Sequence, residues 1–223
     1  MAAMNAPAAT SVMDALRNAG VSEAALESLE CAEVSEAQLL AIEDAATLTE
    51  AEELGVDAGD ASKIVEAVAR LRNLELGPLV FLDIDGVLNR TVKATHVRLD
   101  DDLCARLQRL VATTGAKIVL STFWREHMDY VAYVLRRQGI AADVVGRTPG
   151  EPTSAAYDGT RPRGDEICEY LEARCGPGCA YVILDDRDDA ARGDAQRARF
   201  VRTDPASGLT DEDVRRAAAI LGS

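Results

Sequence analysis

The stretch 80-VFLDIDGVLNR-90 closes an apolar run with two aspartates, Asp83 and Asp85, and then breaks at Gly86. Neighbouring carboxylates at the end of a buried strand repel each other and resist desolvation, so something of opposite charge must hold them. Alternation along an extended chain sends both to the same side, where a divalent cation is the usual partner.

From Pro78 onward, apolar runs alternate with helical patterns, which predicts an α/β fold with a parallel sheet flanked by helices. Strands are expected at 79–84, 117–120, 180–184 and 200–201, with helices near 101–113, 124–138, 164–174 and 210–221. Ligands in such sheets bind at the carboxyl ends of the strands. The first strand delivers Asp83 and Asp85. The second, 117-KIVLSTFWR-125, ends in Ser121 and Thr122, whose hydroxyls and following amides suit an anion. In 160-TRPRGDEICEYL-171, Arg161 and Arg163 can neutralise a phosphate. The strand 181-YVILDD-186 ends in Asp185 and Asp186, followed by Asp188 and Asp189. Each signal alone is ordinary, since strand-end Asp and Ser/Thr residues also cap turns and helices. Together, in this order on one sheet edge, they point to a single site.

The formal charge of -14 is concentrated at the front of the chain. Residues 1–78 carry 15 acidic and 4 basic side chains, whereas residues 79–223 carry 23 and 20. That shift and the Leu-Gly-Pro at 76–78 set a domain boundary, giving a helical module at 11–76 and an α/β module at 77–223. Residues 1–10 are small and polar and are expected to be disordered. The acidic module argues against phosphate-backbone binding by that segment. No long apolar run and no secretory leader is evident, so a soluble cytoplasmic or nuclear protein without membrane partners is expected. The five cysteines form no CxxC pair and read as reduced thiols, with a zinc site at Cys175 and Cys179 the alternative.

In the helical module, apolar groups at Val12/Leu16/Ala19, Leu26/Leu29 and Leu39/Leu40/Ile42 precede a longer helix. That last helix is expected to be capped by Asp60 or Ser62, striped by Ile64, Val65, Val68 and Leu71, and closed by Arg70 and Arg72. Short helices ending in 48-LTEAEELGVDAGDASKIVEAVARL-71 resemble a sterile alpha motif (SAM) domain. The resemblance implies self-association or a protein partner through residues 11–76. The segment departs from the family in lacking aromatic residues and in placing Asp57, Gly59 and Asp60 where basic residues are common.

DxDGVLN, a Ser/Thr closing the second strand, a basic residue at a later helix and an acidic pair ending the next strand resemble the haloacid dehalogenase (HAD) superfamily. The details VLSTFWR, RGDEICEYL, YVILDD and VRTDPASGLT are more narrowly similar to HAD domains associated with RNA repair proteins. The resemblance implies a HAD-like Rossmannoid sheet and a Mg²⁺-dependent phosphatase. Asp83 would be the nucleophile, forming an aspartyl-phosphate. Asp85 would protonate the leaving oxygen and later activate water. Ser121, or Thr122 if the strand ends one residue later, would bond the transferring phosphoryl. Arg163, or less favourably Arg161, would stand where Lys is common in the superfamily. Asp83, the backbone carbonyl of Asp85, and Asp185 or Asp186 would hold Mg²⁺, with Asp189 assisting through water.

No room for a cap domain is evident after either of the first two motifs, so an open site suited to a large substrate is expected. A phosphoprotein, a nucleic-acid end or a nucleotide would qualify. A non-catalytic HAD-fold adaptor is the rival reading. Trp124 reads as core or as a base-stacking ring, and the arginines of 187–202 as a polymer-binding or a self-neutralised surface.

Overall fold

The computed structural model describes residues 11–42, 44–51, 54–90, 97–150, 161–175 and 178–222. The expectation of disorder at residues 1–10 falls outside the described residues. The chain divides into two compact units that part between Glu75 and Leu76. No helix among the described residues is long and apolar enough to cross a membrane.

The first unit contains five helices: α1 (Val12–Asn18), α2 (Glu23–Cys31), α3 (Glu36–Leu40), α4 (Ala45–Glu50) and α5 (Ala58–Leu76). Ser11, Ser22, Ser35 and Asp44 cap the first four by accepting a first-turn amide, which is why each begins where it does. Leu16, Leu26, Leu29, Leu39, Ile64 and Val68 form their common core. The cap of α5 differs from expectation. Asp57 accepts the Asp60 amide at 2.8 Å, and Asp60 lies inside the helix, buried, where it accepts the Ser22 hydroxyl at 2.5 Å. Nor does Arg72 end α5, which runs on to Leu76. Its guanidinium donates to the carbonyls of Leu40 and Ile42, both at 2.6 Å.

The second unit is a five-stranded parallel sheet ordered β3-β2-β1-β4-β5. Its strands are β1 (Leu79–Leu82), β2 (Lys117–Leu120), β3 (Val144–Arg147), β4 (Tyr181–Asp185) and β5 (Phe200–Arg202). Helices α6 (Asp101–Thr114), α7 (Met128–Arg137), α8 (Arg163–Arg174), α9 (Gly193–Arg197) and α10 (Asp211–Leu221) complete it. Alternation along β1 splits the core. Val80 and Leu82 join Leu103, Leu107, Val131 and Ala217 on one face, while Leu79 and Phe81 join Ile167 and Tyr170 on the other. Phe81 meets Tyr170 and Tyr181 edge to face at 5.5 and 5.7 Å, a geometry the aromatic quadrupole favours.

Two elements depart from the sequence reading. The helix expected at 124–138 is a 3₁₀ turn, Phe123–His127, followed by α7. The apolar Val144–Arg147 segment is a strand, the edge strand β3, although its four residues are too short to show alternation. Because β1 lies centrally, the chain leaves it toward β2 and β3 and returns on its other side at β4. The loops leaving β1 and β4 therefore diverge and open a crevice at their carboxyl ends.

Candidate active site

β1 ends at Leu82, one residue before the first aspartate, so alternation does not govern the pair. Asp83 keeps one ladder bond, from its amide to the Leu184 carbonyl at 3.0 Å. The chain then turns sharply, with the amides of Val87 and Leu88 donating back to the Ile84 carbonyl at 3.2 and 2.8 Å. Gly86 makes this turn with φ +75, and a Cβ there would lie 2.7 Å from the Asp186 carboxyl carbon. The Thr203 hydroxyl buttresses the loop by donating to the Gly86 carbonyl at 2.8 Å.

Asp83, Asp185 and Asp186 converge, with one carboxylate oxygen from each lying within 4.8 Å of the others. Arg163, the first residue of α8, bridges two of them. Its Nη1 donates to Asp83 Oδ2 at 2.5 Å and to Asp185 Oδ2 at 2.6 Å. Asp185 is fully buried, and its other oxygen accepts the Arg187 amide at 2.9 Å. Burial pushes its carboxyl up to about 7, with Asp83 adding to the effect and Arg163 opposing it. Burial also raises Asp186, again with Asp83 contributing. Burial works against the Arg163 charge, but Asp83 and Asp185 outweigh it and hold the guanidinium more firmly protonated than usual. Arg161 points elsewhere, paired with Glu169.

Asp85 is not part of this group of three carboxylates and is held by other donors. Its Oδ1 accepts Asn89 Nδ2 at 2.7 Å and its Oδ2 accepts the Trp124 indole Nε1 at 3.2 Å. Ser121 lies next to Asp83 across the β1–β2 pairing, its amide bonded to the Leu82 carbonyl at 2.9 Å. It is fully buried, and its hydroxyl has no hydrogen-bond partner among the described residues. A buried orphan hydroxyl is costly unless a ligand engages it. Thr122, also buried, uses its hydroxyl to accept the Trp124 amide at 3.4 Å.

Three carboxylates against one guanidinium leave excess negative charge in a largely buried cluster of hard oxygen donors. That donor set fits a small divalent cation such as Mg²⁺, which prefers carboxylate and water oxygens. Among the described residues no other group of three His, Cys, Asp or Glu side chains converges in this way, and Cys175 and Cys179 belong to none.

A family model described as the HAD domain in Swiss Army Knife RNA repair proteins matches residues 79–214. The chain belongs to this family. No curated protein and no solved structure matches the chain. The match does not extend to α1–α5.

Within this HAD-type hydrolase domain, one cavity lies away from the carboxylates. It has a volume of about 490 Å³ and is lined by Glu126, Arg147, Tyr170 and Arg174, among others, and by none of the aspartates. Three arginines of the 187–202 tract pair with acids, whereas Arg199 lies over the Tyr181 ring at 4.9 Å. Arg187 meets Asp189 at 2.8 Å, Arg192 meets Asp165 at 3.2 Å and Arg202 meets Asp188 at 2.5 Å. Asp189 is thus held by an arginine and lies outside the carboxylate group. Asn89, Thr203 and Glu166 went unrecognised in the sequence. Asn89 had the clearest signal, closing the DxDGVLN motif itself.

Proposed function

We propose that this HAD domain is a Mg²⁺-dependent phosphomonoesterase acting through an aspartyl-phosphate on Asp83. The convergence of Asp83, Asp185 and Asp186 around Arg163 carries the reading. Mg²⁺, bound by Asp83, Asp185 or Asp186 and the Asp85 carbonyl, would offset charge on the phosphoryl group. An Asp83 oxygen attacks phosphorus as the bond to the leaving oxygen breaks, and Asp85 gives that oxygen its proton. Asp85 then takes a proton from water, which attacks phosphorus and returns Asp83 as a free carboxylate. The Ser121 hydroxyl donates to a phosphoryl oxygen, and Arg163 balances the added negative charge.

The absence of an inserted domain among the described residues supports a large substrate, and the family's description favours a phosphorylated RNA end. Phosphopeptides and nucleotides are the comparison substrates. Residues 11–76 would serve as the SAM-like association module.

The test is hydrolysis of an aryl phosphate with and without Mg²⁺ by the wild type and by Asp83→Asn. Turnover that needs the metal and is lost by at least about a thousandfold in the variant supports the reading, since no nucleophile remains. Metal-independent or variant-insensitive turnover would sink it.

A further inference from the structure

The Asp85 carboxylate is gripped at both oxygens by neutral donors of different standing. Asn89 is fully buried and fixed on three sides. Its amide donates to Asp85 at 2.7 Å and to the Arg98 carbonyl at 2.9 Å, while its own oxygen accepts the Gly86 amide at 3.3 Å. It belongs to the same turn as Asp85, so it sets where the carboxylate sits. Trp124 comes from another strand's loop. It follows Ser121 and Thr122, packs partly buried against the core, and meets Phe123 edge to face at 6.0 Å. Its indole N–H reaches Asp85 Oδ2 at 3.2 Å. An indole nitrogen donates and cannot accept, so this contact favours an oxygen with a free lone pair.

We propose that Trp124 is a positioning residue for proton transfer: its indole N–H fixes the rotation of the Asp85 carboxyl so that the other face of that group meets the leaving oxygen. The proposal rests on the acid–base role given to Asp85 above. Core packing alone explains the partly buried ring but leaves unexplained why the one polar atom of the side chain is spent on this carboxylate. The arrangement also couples the loops after β1 and β2, so the proton donor and the Ser121 hydroxyl are placed by one structural unit.

Leaving-group chemistry separates this role from packing. A nitroaryl oxygen departs as a stable anion and needs little proton donation, whereas an alkyl oxygen needs the proton as its bond to phosphorus breaks. Trp124→Phe keeps an aromatic ring and removes the N–H. Replacement by 3-benzothienylalanine, in which sulfur stands for N–H, keeps the full indole shape and guards against misfolding of the first variant. With Mg²⁺ present, kcat/KM for an alkyl phosphate, which reports formation of the aspartyl-phosphate and not its hydrolysis, is expected to fall at least about tenfold more than kcat/KM for a nitroaryl phosphate in both variants. A tenfold difference is a fraction of the about hundredfold or more that a general acid supplies, as expected of a group that positions the acid without being it. Equal losses on the two substrates, or no loss on either, would overturn the proposal. Asp85→Asn, run in parallel, identifies where a failure lies. If Asp85→Asn discriminates between the substrates and the Trp124 variants do not, only the positioning role falls. If Asp85→Asn shows no discrimination, the acid–base reading falls and takes the positioning role with it.

Discussion

Gly86 is where the backbone and the carboxylate cluster constrain each other most tightly. Its φ of +75 costs a non-glycine residue about 1 kcal/mol or more, and its missing side chain leaves room for Asp186. Gly86→Ala is therefore expected to lower stability by about 1–2 kcal/mol from backbone strain. It is also expected to push Asp186 outward and weaken Mg²⁺ affinity, which calorimetric titration with the metal alone would measure. Unchanged affinity would mean that Asp186 does not contribute to holding the ion. The glycine's position after DxD was plain in the sequence, and so were Asp83, Ser121, Arg163 and Asp185, because each sits at a strand end or helix start. The bonds that Asn89 and Trp124 make to Asp85 were not, since the Trp124 contact joins residues 39 apart.

The link between the loop after β2 and helix α8 is a buried ion pair. Arg125 Nη2 donates to Glu166 at 2.9 Å, with both side chains at most 2% exposed. Nη1 of the same guanidinium donates to the Thr122 carbonyl at 3.3 Å. Gly150 closes over both partners, since a Cβ there would fall 2.5 Å from Glu166 Oε1 and 2.6 Å from Arg125 Nη2. Burial raises the Glu166 carboxyl, with Arg125 pulling it back. Through this pair the strand end bearing Ser121 and Thr122 is tied to the first turn of the helix bearing Arg163. Removing one charge from such a pair is costly, so Glu166→Leu should destabilise the protein by about 3–5 kcal/mol in denaturant unfolding. The double variant Arg125→Met/Glu166→Leu should recover much of that loss, because no buried charge is left alone. A double variant no better than the single one would show that the pair's worth is packing. Sequence reading could not find this contact, for its partners are 41 residues apart and neither lies in a charge pattern. Strand β3 was missed for a related reason: at the sheet edge its residues are only partly buried, and Gly146 interrupts the apolar run beneath Tyr170.

The protein has separate cores, and its acidity is lodged mainly in the helical one. Residues 1–78 hold 15 of the 38 carboxylate side chains against only 4 cations. One of them, Asp60, is buried, and the Ser22 hydroxyl and then Lys63 hold its carboxyl below the ordinary range. A carboxyl depressed in the folded state contributes stability that is fully present above its unfolded value of about 3.9 and is lost as pH falls through the lower folded value. Helical signal in far-ultraviolet circular dichroism should thus drop on acidification in that window, and Asp60→Asn should lower stability at neutral pH while flattening the drop. An equally steep acid transition in the variant would assign it to other carboxylates. The burial of Asp60 was not legible in the sequence, since only the folded helices bring it to Ser22. A different consequence follows from composition and position together. The chain contains a single tryptophan, and that indole is bonded to Asp85. Ultraviolet emission from the whole protein excited at the tryptophan band therefore originates beside Asp85, and the molecule carries its own optical reporter of events at the candidate site without any attached dye.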